Sequence, residues 1–93
     1  GGIKAFYNFV FNNIRYPNRA RRLRIEGKVF LKFVVDKDGS ITQSEVIKGI
    51  DDSCDNEALR VLNMSTKWNP GKQRGKPVRV KMILPITYKL AEL

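Results

Sequence analysis

From Val78 the chain alternates. Val78, Val80, Met82, Leu84, Ile86 and Tyr88 fall on one side of an extended backbone, and Arg79, Lys81, Ile83, Pro85, Thr87 and Lys89 on the other. A period of two predicts a strand with one buried face. At roughly 3.3 Å per residue, a strand over 78–90 is about 40 Å long, far beyond the usual length. Pro85 has no N–H to give a ladder, so this strand is expected at an edge or running past its neighbour. The apolar face then needs a covering layer, and one row of backbone groups stays open.

The rest of the chain supplies partners for that strand. Residues 27–36 alternate too, with Val29, Leu31, Phe33 and Val35 on one face and Lys28, Phe30, Lys32 and Val34 on the other. Asp36-Lys37-Asp38-Gly39 has turn chemistry, and residues 40–48 return as a second strand. Ile41, Val46 and Ile47 break strict alternation, which predicts a β-bulge between Thr42 and Glu45. Ile3, Phe6, Tyr7, Val10 and Ile14 share one face of a helix over 3–14, widened by Phe9 and Phe11 and ended by Pro17. Asn18 is a plausible cap for a short helix or turn over 18–24. Asp51, Asp52, Ser53 and Asp55 mark the start of a helix over 53–65, which Asp52 or Ser53 can cap and which carries Cys54, Ala58, Val61 and Leu62 on its apolar face. Trp68 to Pro77 reads as a loop anchored by Trp68. The expected fold is a two-layer α+β domain. Its three-stranded antiparallel sheet, in the order second, first, last, is packed by helices, with the last strand at an exposed edge.

Length and composition narrow the function. Ninety-three residues make one domain over 3–93, with Gly1-Gly2 read as a tag remnant of a piece cut from a longer protein. No run of about 18 apolar residues exists, so no membrane insertion by this chain is expected. The net charge of +9 favours an anionic partner or a solvated basic surface, with Arg19, Arg21, Arg22 and Arg24 the densest cluster. There is no histidine and one cysteine, Cys54, which argues against a disulfide, a Cys-based zinc site and a catalytic pair. No catalytic residue, metal or cofactor is expected.

The local motifs are weak. Asp36-x-Asp38-Gly39 opens like a calcium loop, but its glycine stands at position four and Ile47 fills position twelve. Gly71-Lys-Gln-Arg-Gly75-Lys76 falls one residue short of a phosphate loop and leads into a strand. An RNA-stacking platform is not expected, because Phe30 and Phe33 lie on opposite faces of one strand. Phe30 and Val34 are either covered by the first helix or form a contact patch.

Tyr16-Pro17, IEGKV (Ile25–Val29), DKDGSI (Asp36–Ile41), EAL (Glu57–Leu59) and W-N-P-G-K (Trp68–Lys72) follow in that order within 57 residues. Together they resemble the C-terminal domain of TonB, over about four-fifths of the chain. TonB proteins are periplasmic transducers, anchored in the inner membrane and linked to ExbB and ExbD motor proteins. They couple the proton-motive force to nutrient uptake by gripping the TonB box peptide of outer-membrane transporters. The resemblance implies a non-catalytic module that takes this peptide as an added strand. It places the contacts at Val78, Arg79, Val80, Lys81, Met82, Ile83 and Leu84. It adds a flanking segment of Asn13, Ile14, Arg15, Tyr16 and Pro17, where the family's Q-P-Q-Y-P reads N-I-R-Y-P. The physics agrees, because an open edge invites a strand, and Arg79 and Lys81 would oppose self-pairing while drawing an acidic peptide. Exposed edges can also pair with each other, so the sequence leaves a homodimer open.

Two other readings stand beside this one. The same fold serves as a ligand or scaffold domain of a membrane sensor or peptidase. A small basic nucleic-acid-binding domain is the other, although no nucleic-acid motif supports it. The phenylalanine-rich first helix is either an added packing element or a part that moves when ligand binds.

Overall fold

The computed structural model describes residues 2–65 and 68–91. Gly1 of the suggested tag remnant and residues 92–93 of the single-domain span lie outside them. The elements are α1 (Ile3–Asn13), α2 (Asn18–Arg22), β1 (Gly27–Val35), β2 (Ile41–Lys48), α3 (Asp52–Met64), β3 (Gly71–Gln73), β4 (Lys76–Val78) and β5 (Val80–Tyr88). Three strands form an antiparallel sheet in the order β2-β1-β5, and β3 and β4 form a separate two-stranded sheet.

One expectation fails here. The strand proposed over 78–90 spans only Val80–Tyr88, and Val78 closes a hairpin that takes up most of the span read as a loop. Gly71 pairs with Val78 and Gln73 with Lys76, leaving Arg74-Gly75 as a two-residue turn. Both turn residues have positive φ (53° and 77°), the geometry that matches strand twist in tight hairpins. Arg79 then breaks the chain between hairpin and sheet.

The α3 start also differs in detail. Asp51, rather than Asp52 or Ser53, stands at the N-cap, and its carboxylate accepts from the Ser53 N–H at 3.1 Å and from the Ser53 hydroxyl. Asn18 is the first residue of α2 rather than its cap, which falls at Pro17. In β2 the register slips between Thr42 and Glu45, with Gln43 at φ 53°, and again beside Ile47.

The core lies between the sheet and the helices. Val29, Leu31, Phe33 and Val35 of β1 meet Leu84, Ile86 and Tyr88 of β5, and Cys54, Ala58, Val61 and Leu62 of α3 close over them with Phe6 and Val10 of α1. Trp68 plugs one end, with ring centroids 5.2 Å from Phe6 and 5.4 Å from Phe33. Its backbone N–H donates to the Gly39 carbonyl, which ties the loop to the β1–β2 turn. Gly39 sits at φ +85°, and a Cβ there would stand 2.1 Å from the Trp68 carbonyl oxygen. Gly39→Ala is therefore expected to cost about 2–3 kcal/mol, from left-handed strain and a backbone clash together, measured by urea unfolding.

On the outer face, Val34 is buried without a helix above it. Gln43, Arg79 and Lys81 line the hollow around it. Phe30 is half-buried, with the Lys48 ammonium 6.0 Å from its ring centroid. Phe33 is fully buried on the opposite face, so the two rings give no platform for stacked bases.

Candidate functional site

The sheet has two edges, and they differ. Against β2, the β1 register breaks twice, which bends a strand and blunts it as a template. Against β5 it runs unbroken through nine pairs, from Gly27↔Tyr88 to Val35↔Val80. Regular pairing on one side leaves a regular row of groups on the other.

Pro85 reveals which groups those are. It has no N–H, and its carbonyl accepts from the Tyr7 hydroxyl of α1 at 2.8 Å. Its backbone therefore faces away from β1. In an antiparallel ladder that orientation repeats at every second residue. With no slip in the register, the N–H and C=O of Lys81 and Ile83 point outward as well. Val80, Met82 and Leu84 spend theirs on β1. Among the described residues, no hydrogen bond takes the outward groups of Lys81 and Ile83.

The expected site residues thus divide by role. Lys81 and Ile83 present backbone and exposed side chains at the open edge, and Ile83 is 57% exposed. Leu84 is buried and Met82 packs partly against the core. Arg79 lies 3.7 Å from the Asp36 carboxylate, so it braces the end of β1 as well as flanking the edge. Val78 sits in the hairpin, off the edge strand.

The segment 13–17 lies elsewhere, against the far end of β5. Ile14 borders Ile86 and Thr87, and the Tyr16 ring meets Tyr88 edge-on with centroids 5.3 Å apart. The Tyr16 hydroxyl donates to the Ile25 carbonyl. Tyr16 is thus a brace between the helix–strand connection and the core. At about 3.3 Å per residue, Lys81 and Thr87 are roughly 20 Å apart, so the two expected contact groups form no single cluster.

Glu57 and Arg60 of α3 hold that segment in place. The Arg15 N–H donates to Glu57 Oε2 at 2.7 Å, and Arg60 donates to both Glu57 oxygens and to the Asn13 carbonyl at 3.2 Å. Ile14 is left extended at φ −75°, ψ 141°. In the sequence Glu57 stands in the EAL motif and Tyr7 on the apolar face of the first helix, and neither position signals its contact. Tyr7 and Pro85 are 78 residues apart, and no periodicity reports a bond of that span.

The Arg60 guanidinium, and after it the Arg15 amide, hold the Glu57 carboxyl below the usual carboxylate range, against the opposing pull of burial. A lowered folded-state pKa contributes stability above the ordinary value of about 4.3, which is lost as pH falls through the folded value. Asp51, lowered chiefly by the Ser53 hydroxyl, acts in the same direction. Glu57→Gln is expected to lower stability by about 1–2 kcal/mol at pH 7, with the gap to wild type narrowing in acid below the ordinary carboxylate range. Urea midpoints at pH 7 and in acid check this. Burial raises the Cys54 thiol, which removes it as a nucleophile at neutral pH.

Charge is unevenly spread. Between Glu57 and Glu92 the chain has no carboxylate side chain but eight Lys and Arg, including Lys72, Arg74, Lys76, Arg79 and Lys81. The hairpin and the open edge therefore lie in a positive field.

Fold and edge together define a small two-layer α+β domain with one regular strand edge open to solvent. The family described as Gram-negative bacterial TonB protein C-terminal matches residues 12–90, and the chain belongs to it. It is similar to Protein TonB of Helicobacter pylori strain 26695, with 32% identity over 79 residues, 84% of this chain and 26% of that protein. Protein TonB of Haemophilus influenzae is 44% identical over 52 residues, 55% of this chain and 19% of that protein. The chain thus spans about a quarter or less of these relatives. Solution structures of the H. pylori TonB C-terminal domain share the fold. For residues 179–285 the TM-score is 0.70 at 27% identity, covering 94% of this chain and 78% of that one. For residues 194–285 it is 0.69 at 26% identity, covering 96% and 94%.

Proposed function

We propose that this domain is the peptide-gripping end of a TonB-type energy transducer. It takes the TonB box of an outer-membrane transporter as an added strand on β5. The observation that carries this reading is the unbroken β1–β5 register, which leaves the Lys81 and Ile83 backbone facing outward. Backbone pairing supplies affinity with little demand on side chains, and the basic edge favours an acidic partner. No chemistry is required of the domain. The longer protein would be anchored in the inner membrane, with this part in the periplasm. ExbB- and ExbD-type motors would act on its other end, coupling the proton-motive force to nutrient uptake. Pulling along a paired edge loads several hydrogen bonds together, which suits a link that carries force.

Fluorescence anisotropy with labelled N-terminal peptides of outer-membrane transporters tests this. Saturable binding that scrambled peptides of the same composition lose supports strand addition. Equal binding of native and scrambled peptides reduces the edge to non-specific charge attraction and sinks the reading.

A further inference from the structure

Strand addition at Lys81 and Ile83 leaves one neighbouring surface unused. Tyr7, Val10 and Phe11 stand at i, i+3 and i+4 on one face of α1, and Ile14 follows at its C-cap. With Ile86 and Thr87 they line an open, mostly apolar cavity of about 230 Å³ at the far end of the β5 edge. Phe11 borders it and is 84% exposed. An apolar ring so fully in water, beside an apolar hollow, marks a surface with something to gain from a partner.

The geometry of the edge says what would arrive there. A strand paired at Lys81 and Ile83 loses its ladder at Pro85, which offers no N–H and whose carbonyl is already taken by Tyr7. Beyond that point the added chain runs against α1, with Thr87 the next residue whose backbone faces outward. Thr87 lies four residues past Ile83, about 13 Å along the edge. The cavity is therefore within reach of the residues that follow the paired stretch. Ile14 belongs both to this groove and to the segment that Glu57 and Arg60 hold, so the groove joins the two contact regions that β5 otherwise separates.

We propose that the groove between α1 and the end of β5 seats one large apolar side chain of the edge-bound peptide, beyond its paired stretch on the side that runs toward Pro85. The recognised ligand is then a short β-forming segment with an apolar anchor a few residues further on. Phe11 is the specificity-determining residue. The proposal rests on strand addition at β5.

A double-mutant cycle tests it, using labelled transporter N-terminal peptides with each apolar residue replaced singly by Ser. Binding is measured to wild type, Phe11→Ser, Phe11→Leu and Ile83→Pro. Phe11 is exposed, so its substitution leaves the fold intact. Phe11→Ser is expected to weaken the native peptide about tenfold, and Phe11→Leu to retain most of the affinity. One peptide position should weaken wild type about tenfold and Phe11→Ser less than about twofold. Loss of binding in Ile83→Pro with no peptide position coupled to Phe11 overturns the groove and leaves the edge standing. Unchanged binding in Ile83→Pro, or no binding of any peptide, overturns the edge and the groove with it. Concentration-dependent dimerisation of wild type that Phe11→Ser abolishes would assign the groove to a second copy and also overturn the proposal.

Discussion

Trp68→Ala is expected to lower the unfolding free energy by about 3–5 kcal/mol, a large share of what a domain of this size has. The indole is 7% exposed and fills the space between Phe6 of α1 and Phe33 of β1. Its Nε1–H donates to the Ser65 hydroxyl at 3.3 Å, so removing the ring also loses a hydrogen bond at the end of α3. The loss should not stop at the core. Trp68 joins α1, β1 and the β1–β2 turn, and α1 in turn carries the Tyr7 hydroxyl that caps Pro85. Urea unfolding measures the cost. Trp68→Phe, which keeps an apolar ring, should recover more than half of it. A cost below about 1 kcal/mol would mean that the site collapses freely and that Trp68 does not anchor the loop.

Proline scanning along β5 should separate folding from binding. Ile83→Pro removes an N–H that faces outward, so the ladder to β1 stays complete. Pro85, two residues on, already occupies the same orientation. Ile83→Pro is therefore expected to stay folded and to lose peptide affinity by about 10–100-fold, from one lost hydrogen bond and a ring set against the incoming strand. Met82→Pro removes a bond to β1 from the middle of the sheet. It is expected to cost about 3 kcal/mol or more and to reduce the folded fraction visibly in circular dichroism. The same result from both variants would contradict the assigned alternation.

Much of this domain was legible in the sequence because side-chain period reports which face is buried. The inner faces of β1 and β5 fall where alternation places them, and the β2 bulge falls at the break in its pattern. The β3–β4 hairpin escaped because Lys72, Gln73, Arg74 and Lys76 are all polar and carry no period. Its turn was masked further by Arg74, which holds a positive φ where Asn or Asp would have signalled it. The edge position of the last strand followed from Pro85, yet the outward groups did not. Parity needs a reference, and the Tyr7–Pro85 bond supplies it only in three dimensions. Asn13 to Pro17, expected as a flanking contact segment, are held by Glu57 and Arg60 against the far end of β5, a placement set by helix packing rather than by local pattern.

Strand addition on β5 is tested most directly by amide hydrogen exchange, read by NMR with and without a transporter N-terminal peptide. In the free domain, Val80, Met82 and Leu84 should be protected by β1, while Lys81 and Ile83 exchange rapidly. Peptide at saturation should protect Lys81 and Ile83 and leave the other three little changed. Binding that leaves the Lys81 and Ile83 amides exchanging as fast as before would contradict pairing at this edge.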